Sequence, residues 1–105
     1  MVSLANTARG EALLRVGGEA MVLRPTFAAL VAAEEELGPL FALVERAAEG
    51  RLALSEMATL FWHCAVERGK GCTRERIGAA IAEGGLAKAT PVLKVLLTQI
   101  LQGRA

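Results

Sequence analysis

Residues 9–38, RGEALLRVGGEAMVLRPTFAALVAAEEELG, decide the fold. Gly17-Gly18 separates two apolar-rich runs, residues 11–16 and 19–24. A Gly-Gly loop fits a primed two-residue turn, because both glycines can take positive φ. That loop would pair Val16 with Glu19, Leu14 with Met21 and Ala12 with Leu23. One face of the hairpin is then apolar: Ala12, Leu14, Val16, Met21 and Leu23. The other is mixed: Leu13, Arg15, Ala20 and Val22, with Glu11 opposite Arg24 as a cross-strand charge pair. Two strands alone are marginal in water, so this hairpin needs helices to lie on. Pro25 cannot donate to a ladder and biases Arg24 towards extended geometry, so the second strand should end there. Thr26 can cap a following helix. Phe27, Leu30, Val31 and Leu37 form its expected apolar stripe, and Gly38 its stop. Glu34 falls on that stripe, seven residues after Phe27. It is either a stripe-edge glutamate reaching solvent or a basic side chain, or a charged contact to a partner chain. A catalytic carboxylate would need a second group nearby, and none is evident.

These residues also carry a resemblance. Arg9-Gly10-Glu11, Leu23-Arg24-Pro25-Thr26-Phe27, Ala29-Leu30, Glu34 and Leu37-Gly38 resemble a small family of gene transfer agent and phage tail-region proteins. That family is described as tail assembly chaperone-like, and sometimes as tail tube. The resemblance spans nearly the whole chain and is sharpest over residues 9–38; this chain is richer in alanine than the family pattern. It implies a non-enzymatic role in tail morphogenesis, as a chaperone that binds the tape measure protein. A structural tail component, tube or connector, is the alternative. It supplies no catalytic or ligand-binding residues.

Beyond Gly38 the sequence reads as helices that cover the hairpin. Pro39 suits the first position of a second helix, with Leu40, Leu43, Val44 and Ala47 as its stripe, broadened by Phe41 and Ala48. Ser55 suits the cap of a third, apolar over most of its circumference: Met57, Leu60, Phe61 and Cys64 on one stripe, Trp62 and Val66 on another. Thr73 caps a fourth with Ile77, Ala80 and Ile81. Thr90-Pro91 starts a fifth with Val92, Leu93, Leu96, Leu97, Ile100 and Leu101. The predicted fold is therefore mainly α (α+β), a two-stranded N-terminal hairpin packed on about five short helices. Residues 1–9 form a loose tail, and residues 10–103 form one domain.

Composition narrows the function. The chain has 105 residues, 53% of them hydrophobic, 22% charged, with a net charge of +1 and no Tyr. Such a balance suits a folded domain and argues against nucleic acid as partner. A small nucleic-acid-binding helical module would have to use the basic loop Arg68, Lys70, Arg74 and Arg76, which Glu75 dilutes. His63, Cys64 and Cys72 lack zinc spacing, and no acid, base and nucleophile converge, so no cofactor, metal or enzymatic activity is expected. With neither a signal peptide nor a long apolar run, the cytoplasm is the expected location, and the two cysteines should be free thiols. The resemblance implies instead non-covalent docking through exposed apolar faces, repeated by self-association into a homo-oligomer. The candidate contact residues are Leu13 and Val22 on the hairpin, Glu34, Trp62, and Leu97 and Leu101 on the last helix. Trp62 is read first as core and second as an exposed anchor.

Overall fold

The computed structural model describes residues 11–68 and 72–102. The loose tail expected at 1–9 lies outside these residues, as does Lys70. Two strands, β1 (Ala12–Val16) and β2 (Glu19–Leu23), are followed by five helices. These are α1 (Phe27–Leu37), α2 (Leu40–Ala48), α3 (Leu54–Cys64), α4 (Arg74–Gly84) and α5 (Leu86–Gln102). The strands pair antiparallel in the register read from the sequence, from Val16–Glu19 to Ala12–Leu23. Gly17 and Gly18 sit at φ +59° and +83°, as the primed turn requires. Ala12, Leu14 and Leu23 are buried, and Val16 and Met21 pack half-buried against the core. Glu11, itself buried, accepts a 2.6 Å hydrogen bond from Nε of Arg24.

The sheet does not stop at two strands. Helix α3 ends at Cys64, two residues before the expected Val66, and the chain turns extended. Arg24 donates its N–H to Cys64 O at 2.7 Å, and Val66 donates to Val22 O at 3.0 Å. Leu23 and Ala65 thereby form an antiparallel bridge on the far edge of β2. The end of the central helix is thus stitched to the hairpin by backbone hydrogen bonds, over a junction where Leu23, Cys64 and Ala65 are buried. Helix α3 is the most buried, with Met57, Ala58, Leu60, Phe61 and Cys64 inside. Helices α1 and α4 flank it, α2 packs on α1, and α5 packs on α4 and β1.

Three helix starts differ from the sequence reading. Helix α3 begins at Leu54, not after a Ser55 cap. Glu56 accepts the Ala53 N–H at 3.0 Å, and a charged acceptor held by Arg46 outcompetes a serine hydroxyl. Its carboxyl is held below the usual range, first by that backbone hydrogen bond and then by Arg46. Helix α5 begins at Leu86, so Thr90-Pro91 lies inside it. Burial of Ala89 anchors the added turn, and Thr90 Oγ1 donates to Leu86 O at 2.9 Å. Pro39 is the cap residue of α2 and not its first residue, and it offers no side-chain acceptor. That acceptor comes from α1, where Glu34 Oε2 takes the Leu40 N–H at 3.1 Å. Thr26 and Thr73 cap α1 and α4 as expected, each accepting at 3.1 Å.

Helix α1 is also rotated from its expected stripe. Ala33 is fully buried, and Ala29, Leu30 and Leu37 pack half-buried against the core. Phe27 is 85% exposed and Val31 38%. Small residues let α1 approach α3 closely, with Leu30 and Leu37 beside them, and Phe27 and Val31 are left outside. Phe41, expected to broaden the α2 stripe, is 76% exposed.

The Glu34 contact yields a testable consequence. Glu34→Ala removes the cap of α2 and should cost ~0.5–2 kcal/mol in urea unfolding. Glu34→Gln keeps an acceptor and should cost less. Equal loss in both would mean that charge, not capping, matters at this position.

Candidate interaction surfaces

Four of the seven large apolar residues that are exposed among the described residues fall on two helix faces, of α1 and α5; Phe41 on α2, Leu54 at the start of α3 and Val66 beyond its end lie apart. On α1, Phe27 and Val31 lie one turn apart, with Glu35 one turn further on; Phe41 opens α2. On α5, about 100° per residue places Leu86, Thr90, Lys94, Leu97 and Leu101 along one stripe. Leu86 and Leu101 are more than half exposed, Lys94 is exposed, and Leu97 is half-buried at the edge. Of the residues named from sequence, Leu97 and Leu101 thus share a face. Leu13 and Val22 are direct cross-strand partners on the mixed side of the hairpin, both half-buried. Val22 also lines a cleft of about 730 Å³ between the hairpin and the 66–76 region, with Val66, Cys72, Glu67 and Arg76. Glu34 is exposed but engaged in the α2 cap. The six candidates therefore do not form one patch. Phe27 and Phe41, placed on inward stripes by periodicity, were missed as surface residues. The run of alanines at 28, 29, 32 and 33 was the available signal, since it offers α1 a second, flatter face.

Trp62 is half-buried against the core, and its indole Nε1–H donates to Cys72 O at 3.3 Å. The guanidinium groups of Arg68 and Arg74 lie over its ring, 4.1 and 4.5 Å from the centroid. Arg74 forms a two-pronged ion pair with Glu36 of α1, and His63 Nε2 sits 2.9 Å from the same carboxylate. This cluster joins α1, α3 and α4. Most of the basic residues read from the sequence are thus engaged within the fold: Arg68 and Arg74 at Trp62, and Arg76 against the Gly17 turn. Among the described residues no group of three His, Cys, Asp or Glu side chains could hold a metal ion. No described helix is long and apolar enough to cross a membrane.

The Glu36 carboxyl is held below its ordinary value of 4.5, first by the Arg74 hydrogen bonds and also by His63, against some desolvation. A depressed carboxyl stabilises the fold above its unfolded value, and that contribution drains away as pH falls through the lower folded value. By NMR titration Glu36 should ionise below 4.5, and Arg74→Ala should move its midpoint back up. A midpoint unmoved by the substitution would mean the ion pair does not form. The thiols give a second check. Burial pushes Cys64 up to about 12, whereas Cys72 is partly accessible. A disulfide reagent should label Cys72 in the native protein and reach Cys64 only on unfolding; rapid native labelling of both would contradict the packing of α3.

No curated protein and no solved structure matches this chain. A family does match, over residues 9–103, which takes in the hairpin, the Pro25-Thr26 corner and all five helices. By that match the chain belongs to the family described as phage tail tube protein, GTA-gp10.

Proposed function

We propose that this phage-type tail protein is non-catalytic and acts during tail assembly as a chaperone, shielding apolar segments of the tape measure protein. The observation that carries the reading is the exposure of Phe27 and Phe41, at 85% and 76%. Burying either side chain on binding is worth ~1.5–3 kcal/mol, so two such anchors can drive reversible docking. On α1 the fully buried residue is Ala33 while Phe27 points outward, a face that suits an apolar helical cargo. Binding of this kind needs no reacting group.

A second reading makes the chain a component of the tail tube itself, and the family's description favours it. The two differ in where the protein ends up. A chaperone is absent from purified mature particles, and a tube subunit is abundant in them.

Co-expression with the cognate tape measure protein tests the first reading. The wild-type chain should raise tape measure solubility and co-purify with it. Phe27→Asp combined with Phe41→Asp should abolish both effects while leaving the circular dichroism spectrum unchanged. A tape measure equally soluble without the chain, together with abundant chain in mature particles, would transfer the assignment to the tube.

A further inference from the structure

Charge is segregated along the molecule. Helices α1 and α2 carry Glu34, Glu35, Glu36 and Glu45 against Arg46 alone. Helix α5 carries Lys88 and Lys94 and no acidic residue. These helices belong to different ends of the packing order, α2 on α1 on α3 at one end, and α3 on α4 on α5 at the other. Glu34 is occupied in capping α2, Glu36 pairs with Arg74, and Arg46 pairs with Glu56. Among the described residues no ion pair engages Glu35 or Lys94.

The apolar residues follow the same division, and their spacing is complementary. Phe27, Val31 and Glu35 recur every four residues along the outward side of α1. Leu101, Leu97 and Lys94 recur at four and three residues, read backwards along α5. Laid antiparallel, the two helices bring Phe27 to Leu101, Val31 to Leu97 and Glu35 to Lys94. We infer that the outward face of α1 docks on the outward face of α5 in a second copy of this chain, antiparallel and in this register. Because the two faces are different surfaces, the contact is heterologous: each copy keeps one face of each kind open, and association continues into a ring or an open chain. The opposite charges set the register: a slip of one turn would lose the Glu35–Lys94 pair, placing Glu35 against Leu97 in one direction and against Thr90 in the other.

The proposal rests on the reading that exposed apolar faces here are docking surfaces, but its partner is the chain itself. Sedimentation velocity of the purified full-length protein, from about 1 µM to about 1 mM, reads it directly. The wild type should gain mass with concentration. Glu35→Lys and Lys94→Glu should each weaken association at least about tenfold, through like charges brought together. The Glu35→Lys/Lys94→Glu double variant should regain it, and an equimolar mixture of the two single variants should associate more than either alone. A wild type monomeric throughout overturns the proposal, even if the protein still solubilises the tape measure. So does association indifferent to both single substitutions, which would locate the contact elsewhere. Tape measure binding is scored separately, so loss of solubilisation with self-association intact removes the chaperone reading and leaves this contact standing.

Discussion

Everything in this fold depends on the short backbone pairing between β2 and residues 64–66. A two-stranded hairpin has too little buried surface to persist alone. Here its second strand is held on both edges, by β1 on one side and by the Arg24–Cys64 and Val66–Val22 bonds on the other. Those bonds arise where α3 ends, so the most buried helix and the hairpin share one hydrogen-bonded junction. Leu23 lies at that junction with no exposed surface, next to Cys64 and Ala65. The apolar face of the hairpin is thereby fixed over the helices, and α4 and α5 can close on β1.

The glutamates at the end of α1 show how tertiary contacts override a local penalty. Three acidic residues in the last turns of a helix oppose its macrodipole. Glu34 offsets this by capping α2, which fixes the angle of the Gly38-Pro39 joint. Glu36 offsets it by drawing Arg74 of α4 and His63 of α3 together. Arg74 then lies over Trp62 with Arg68, and the indole is fixed by Cys72 O. A carboxylate run that weakens one helix in isolation orients three others.

Much of the fold was legible because it rests on local rules. The hairpin register follows from the Gly-Gly turn and period-two burial, the Glu11–Arg24 pair from that register, and the Thr26 and Thr73 caps from side-chain chemistry. What escaped had non-local causes. Thr90-Pro91 has every mark of a helix start, yet α5 begins earlier because Ala89 finds a place in the core. Ser55 loses to Glu56 because Arg46, on another helix, holds that carboxylate. Ala65 and Val66 read as a continued helix, since pairing with Leu23 and Val22, so far back along the chain, leaves no mark in local periodicity. Exposure was legible in part: Leu97 and Leu101 share one stripe of the last helix with Leu101 outward, whereas Phe27 and Phe41 were assigned inward because hydrophobicity alone sets the phase of a periodicity argument.

That phase is fixed by polar contacts on the far side of the helix. Phe27 and Glu36 are nine residues apart, which at about 100° per residue puts them on opposite sides of α1. Turning Phe27 inward would swing Glu36 away from Arg74 and His63. Glu34 would lose Leu40, and Ala29 and Ala33 would be exchanged for a ring where α3 already supplies Leu60 and Phe61 at no exposure. Close-packed interiors do not accept such an insertion cheaply. The outward phenylalanine is therefore imposed by the same ion pair and alanine face that seat α1 on α3. A chain that holds a large apolar side chain in water by its own internal contacts keeps that surface available to whatever covers it.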